Sequence, residues 1–140
     1  RDVVAAPRVG RQRRLPLVTV VEASAPTRTR QPGGLQRHGF EVGTAKDGLD
    51  ALERMAEVIP DLMLLDIEMP RMDGYELATA MKADPRMRNV PIIMITSRTG
   101  EKHRERAMQL GVERYLGKPY QELDLMRNVY DLLGIARVRG

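Results

Sequence analysis

The stretch Leu62-Met63-Leu64-Leu65-Asp66-Ile67-Glu68-Met69-Pro70-Arg71-Met72-Asp73-Gly74 decides the fold. Its first four residues are apolar without alternation, the pattern of a strand covered on both faces in a parallel sheet flanked by helices. Asp66 then ends the run, and Pro70 and Gly74 mark the turn that leads into the next helical segment.

Working outward, short apolar runs alternate with amphipathic segments from Leu17 onward, which predicts βαβ units around a parallel sheet. Strands are expected at Leu17–Val21, Phe40–Ala45, Leu62–Leu65, Ile92–Ile95 and Glu113–Leu116. Asp47 is a suitable N-cap for a helix whose Leu49, Leu52, Met55, Ala56 and Ile59 share one face and which Pro60 closes. A second helix, Asp73–Ala83, carries Leu77, Ala78 and Met81 inward. The third, Glu101–Leu110, is polar, with Ala107 and Leu110 as its main apolar contacts and Gly111 as its stop. In the last, Glu122–Leu133, Met126, Val129, Tyr130 and Leu133 follow the i, i+3, i+4, i+7 spacing of one buried face.

A chain of 140 residues, 42% apolar, suits one domain with one core and no internal repeat. No apolar run approaches the roughly 18 residues that cross a bilayer, and no secretory signal is visible, so a cytoplasmic location without membrane contact is expected. The absence of cysteine excludes disulfides and thiolate metal sites, leaving oxygen and imidazole as metal ligands. Residues 1–15 begin with arginine and show no period; five arginines against Asp2 give them the whole chain's formal charge of +4. They read as a basic linker or tail of a longer protein, followed by a domain over 16–134 and a short tail over 135–140. Nucleic acid is not an expected partner, because this arm has no aromatic residues to stack on bases and the rest of the chain sums to zero charge.

Three polar residues fall at or just past the carboxyl ends of expected strands: Asp66, Thr96 and Lys118. Ligands of open parallel sheets bind at that edge. Each residue alone has a plain explanation, as a turn residue, a helix cap and a solvated charge. On neighbouring strands they would bring a carboxylate, a hydroxyl and an ammonium to one crevice, as phosphoryl transfer to a carboxylate requires. Asp66 would be the nucleophile, while Lys118 and a bound cation neutralise the equatorial oxygens and Thr96 donates to one of them.

The segment Leu64 to Gly74, with Pro91-Ile92-Ile93-Met94-Ile95-Thr96-Ser97 and Tyr115-Leu116-Gly117-Lys118-Pro119, resembles the phosphoacceptor loop, switch-threonine and lysine motifs of response-regulator receiver domains (CheY-like). The resemblance covers about residues 17 to 134. It implies a doubly wound five-stranded parallel sheet, flavodoxin-like with strand order 2-1-3-4-5 and helices on both faces. It further implies Asp66 as phosphoacceptor, a cis Lys118–Pro119 bond, Mg²⁺ as cofactor, and a histidine kinase or histidine phosphotransfer domain as partner. Such a domain accepts phosphate without turning over an external substrate, and the resemblance allows a homodimer. Thr96 and Tyr115 would form the conformational switch, although Tyr115 also reads as a partly buried strand residue with its hydroxyl in water. The stretch Thr96 to Arg106 and Gly117-Lys118-Pro119-Tyr120-Gln121-Glu122 is similar, more narrowly, to C-terminal receivers of chemotaxis-type hybrid histidine kinases, including those controlling type IV pilus motility. His103 is then a surface residue and not the phosphodonor, and His38 a helix-end residue.

Two departures from the family pattern stand out. Receivers carry two adjacent acids after the first strand, and here those positions read Glu22-Ala23. Ala23 stands where a carboxylate would bind Mg²⁺ directly, which leaves Asp66, the Glu68 backbone carbonyl and solvent, with Glu22 acting weakly or through water. A degenerate pseudo-receiver that works as a phosphorylation-independent interaction module is the alternative function. The second departure is Ala23–Gly34, which has no large apolar residue and contains Pro32-Gly33-Gly34 where the family has its first helix. An interior proline costs about 3 kcal/mol and each glycine about 1 relative to alanine, so the first helix is expected to be broken. Because the spacing to Leu35–Phe40 equals the family's, the altered composition suggests a local reading-frame disturbance, which resequencing of the encoding DNA would decide.

Overall fold

A computed structural model of the chain describes residues 15–23, 32–97 and 100–134. Five strands, β1 (Leu17–Val21), β2 (Glu41–Ala45), β3 (Leu62–Asp66), β4 (Ile92–Thr96) and β5 (Arg114–Gly117), pair in parallel in the order β2-β1-β3-β4-β5. The expected doubly wound sheet and its strand order are therefore found. Strand ends shift by a residue or so: Phe40 precedes β2 because its N–H donates to Leu35 O and closes a turn, and Glu113 precedes β5 while its N–H donates to Ile92 O.

The period of two along each strand divides the core between the faces of the sheet. Val21, Met63, Leu65, Ile92, Met94 and Tyr115 lie on one face, beneath helices α1 (Gly48–Glu57), α2 (Gly74–Ala83) and α3 (Glu101–Gln109). Val18, Val20, Leu62, Leu64, Ile93 and Ile95 lie on the other, beneath α4 (Glu122–Leu133) and a seven-residue 3-10 helix, Pro32–His38. With both faces covered, the buried strands carry the unbroken apolar runs seen in the sequence.

The 3-10 helix occupies the described part of the segment where a broken first helix is expected; residues 24–31 lie outside the described residues, as do the expected tails at 1–15 and 135–140 apart from Leu15, which is exposed. Leu35, fully buried, and Phe40, 3% exposed, bring its apolar contribution onto the sheet against Leu125, Met126 and Val129. Gly39 ends the turn with φ 86°, a backbone region that side chains with a Cβ rarely adopt.

Helix faces follow the sequence reading with some corrections. In α1 the buried residues are Gly48, Ala51 and Met55, and Leu49 and Ala56 face outward. The face is rotated toward Gly48, which abuts Met72, leaving Leu52 and Ile59 at its margin. In α4 Leu125 joins Met126 and Val129 in the core, while Tyr130 and Leu133 are half-buried. Asp73 caps α2 through a reciprocal box with Glu76. In α3 only Ala107 is buried, as its polar composition predicts.

Candidate functional site

Asp66 ends β3, Thr96 ends β4, and Lys118 follows β5 directly. Adjacent strands lie about 4.8 Å apart, so β3 and β5 are roughly 10 Å apart, a gap a lysine beyond the strand end can reach across. It does so: Lys118 Nζ lies 3.4 Å from Asp66 Oδ2. The Asp66 side chain is 16% exposed and that of Lys118 40%, so the pair stands at the mouth of a cleft rather than in the core. Val20, Val21, Leu64, Leu65, Ile95 and Tyr120 form the apolar part of its lining, and Glu22 shares its rim with Asp66 and Lys118. Thr96 is fully buried between them in the strand order, and its carbonyl accepts from Lys118 N–H at 2.8 Å. The Lys118–Pro119 bond is cis, as the resemblance implies.

The loop after Asp66 is tied back to the strand. Glu68 N–H donates to Asp66 Oδ1 at 3.2 Å, and Gly74 N–H donates to Ile67 O at 2.9 Å. A Cβ on Gly74 would lie 2.5 Å from the Asp66 carbonyl oxygen, so glycine is needed for the start of α2 to pass this close to the Asp66 backbone. Arg71 has φ 62°, which costs about 1 kcal/mol or more for a residue with a Cβ. Its Nε and Nη2 donate to Asp47 Oδ2 and Oδ1 at 2.7 and 2.9 Å. Asp47 is buried, and its carboxyl is held below the ordinary range by the Arg71 hydrogen bonds first and then by the backbone bond from Asp50.

The metal corner is sparse. Glu22 N–H donates to Ala45 O just past β1, and Ala23, exposed, offers no side-chain oxygen. Among the described residues no group of three or more His, Asp or Glu side chains could hold a metal ion. Two carboxylates on one rim, Glu22 and Asp66, nevertheless fit Mg²⁺, which commonly keeps several waters and takes one or two protein carboxylates.

Tyr115 is 9% exposed and packs within the core layer under α3, with Arg104 Cζ 5.4 Å from its ring centroid. His103 is half-buried on α3, its Nδ1 3.4 Å from Tyr75 Oη. His38 ends the 3-10 helix between Tyr130 Oη and Glu122 Oε2, each 3.2 Å away. The hydrogen bond with His38, followed by that from Arg37, holds the Glu122 carboxyl below its usual value.

The Arg71–Asp47 pair and Tyr120 were missed in the sequence. Asp47 is legible as a cap, but nothing local links it to a residue 24 positions away. Tyr120 gives only an aromatic beside Pro119; its phenol is raised above its ordinary value, by burial first and then by the negative charge of Glu22.

A family model for the response regulator receiver domain matches residues 18–130. The chain belongs to that family. It is 32% identical over 124 residues to hybrid signal transduction histidine kinase D of Dictyostelium discoideum, covering 89% of this chain and 8% of that protein. It is 35% identical over 123 residues to the phosphate regulon transcriptional regulatory protein PhoB of Rhizobium meliloti, covering 88% of this chain and 54% of the relative. The chain therefore spans only part of these relatives. Among solved structures, the receiver domain of a sensor histidine kinase from Pseudomonas aeruginosa, with magnesium coordinated in its active-site cleft, superposes with a TM-score of 0.77 at 28% identity, covering 86% of this chain and 99% of that one. No described helix is long and apolar enough to cross a membrane.

Proposed function

We propose that the chain is a phosphorylatable receiver of two-component signalling, taking a phosphoryl group on Asp66 from a histidine kinase or histidine phosphotransfer domain. The observation that carries this reading is the placement of Lys118 Nζ 3.4 Å from Asp66 Oδ2 across the strand between them. An ion pair this exposed contributes about 0–1 kcal/mol to stability, too little to account for the arrangement. Its use is electrostatic: an ammonium fixed beside the acceptor meets the charge that builds on an incoming phosphoryl group.

An oxygen of the Asp66 carboxylate attacks phosphorus as the donor's P–N bond breaks. The electron pair of that bond returns to the donor imidazole nitrogen, and an acyl phosphate forms. Lys118 neutralises one equatorial oxygen, and Thr96, fully buried before transfer, turns its hydroxyl toward another. Asp66, the Glu68 backbone carbonyl and Glu22, the last weakly or through water, would hold Mg²⁺, which would supply further charge neutralisation. Thr96 and Tyr115 then repack, shifting the surface around α3 between two arrangements. The narrower likeness to receivers at the C-terminus of chemotaxis-type hybrid kinases supports a partner kinase within the same longer polypeptide and a cytoplasmic location.

Incubation with a small phosphodonor and Mg²⁺, followed by intact-protein mass and peptide mapping, is expected to give one phosphate adduct, on Asp66. No adduct at saturating Mg²⁺ would leave the second reading, a pseudo-receiver that docks without phosphate. Ala23 is the observation favouring that second reading, because it supplies no metal-binding oxygen. Restoring the carboxylate tests the metal corner directly. Ala23→Asp is expected to tighten Mg²⁺ binding about tenfold in a calorimetric titration; unchanged affinity would show that the corner lies elsewhere.

A further inference from the structure

The loop that carries the acceptor is gripped from a part of the chain with no place in the chemistry. Arg71 adopts φ 62° and sends two hydrogen bonds into Asp47, whose side chain is only 3% exposed. Asp47 is also the N-cap of α1, accepting from Asp50 N–H at 2.9 Å, so its carboxylate is held by the helix start as well as by Arg71. A second contact runs beside the first: Gly48 N–H donates to Met72 O at 3.3 Å. Met72 lies so close to Gly48 that a Cβ there would come within 2.6 Å of Met72 Cγ. Between this double attachment and Asp66 lies Glu68, whose N–H bonds Asp66 Oδ1.

We propose that Arg71 is a positioning residue: its bidentate grip on Asp47 locks the β3–α2 loop onto the start of α1 and so fixes the Glu68 backbone beside the acceptor carboxylate. The metal part of this inference rests on the proposed function; the ordering of the loop does not. A bidentate guanidinium fits the role because its fork sets orientation as well as distance. The left-handed backbone at position 71 aims the side chain toward α1, and glycine could adopt the same backbone without supplying the grip.

That difference makes the proposal testable. Arg71→Gly keeps the backbone and removes the fork; Asp47→Asn keeps the cap and removes the charge. In amide hydrogen exchange followed by NMR, each is expected to speed exchange at Glu68 on the order of tenfold while Leu64 and Leu65 in β3 hold their rates. The double variant should go no further than either single one, and Arg71→Lys should recover part of the protection. Magnesium titration of the same samples is expected to show affinity about tenfold weaker in the two single variants. Wild-type exchange at Glu68 in Arg71→Gly would overturn the proposal, as would additive effects in the double variant. A wild-type chain that neither binds Mg²⁺ nor takes phosphate would instead defeat the functional reading, and the exchange rates would still decide the grip.

Discussion

Lys118→Ala is expected to slow phosphorylation of Asp66 by a small phosphodonor about 10²–10³-fold at saturating Mg²⁺, while leaving folding stability within about 1 kcal/mol. The two readouts separate because they draw on different states. In the resting protein the Lys118 ammonium, 40% exposed, faces a carboxylate across 3.4 Å with water close by, and that water substitutes for much of the attraction when the lysine is removed. During transfer, negative charge spreads over the phosphoryl oxygens beside the same ammonium. A water that must reorient at that moment is a poor replacement for a charge already in place. Lys118→Arg should fall between the two, since it keeps the charge but presents a planar fork where a compact ammonium stood. A rate for Lys118→Ala within about threefold of the parent would mean that the lysine has no part in transfer.

The largest effect on stability is expected at Leu35. It is fully buried and belongs to the apolar layer of Val18, Val20, Leu64 and Leu125, so Leu35→Ala removes transfer energy and leaves a cavity. We expect a loss of about 3 kcal/mol, read as a lower urea midpoint with an unchanged slope. Among the described residues this side of the sheet is covered by one long helix and the 3-10 helix that carries Leu35, where the opposite side has three helices. Leu123, 68% exposed on α4, is the matched control, with Leu123→Ala expected to change stability by no more than about 0.5 kcal/mol. Equal midpoints for the two variants would show that Leu35 does not anchor this face.

Much of this architecture was legible because the parallel sheet is built from unbroken apolar runs. Leu62–Leu65 and Ile92–Ile95 have no other economical reading, and the polar residue that ends each run marks the edge where a site must lie. The convergence of Asp66 and Lys118 could be anticipated from their positions relative to the strands, and the structure brings them together. Contacts fixed by tertiary approach left no such trace. The orientation of α1, rotated to bury Ala51 and expose Leu49, depends on how closely the helix meets its neighbours. Arg71 looks like any arginine in a turn until α1 is packed beside it. The segment between Ala23 and Gly34 gave the opposite lesson, since its composition predicts no ordinary helix and its described end is a 3-10 turn held by Leu35.

The absence of room for a side chain at Gly74 has a mechanical meaning. Where a methyl group would already collide with the peptide of Asp66, the first turn of one helix and the last link of one strand behave as a single welded joint. Asp66 is thereby backed by a rigid support, with no slack between it and the helix start. If the proposed function holds, rearrangement on phosphorylation is expected on the far bank of the cleft, where the polar third helix leans on the sheet with Ala107 as its one buried residue.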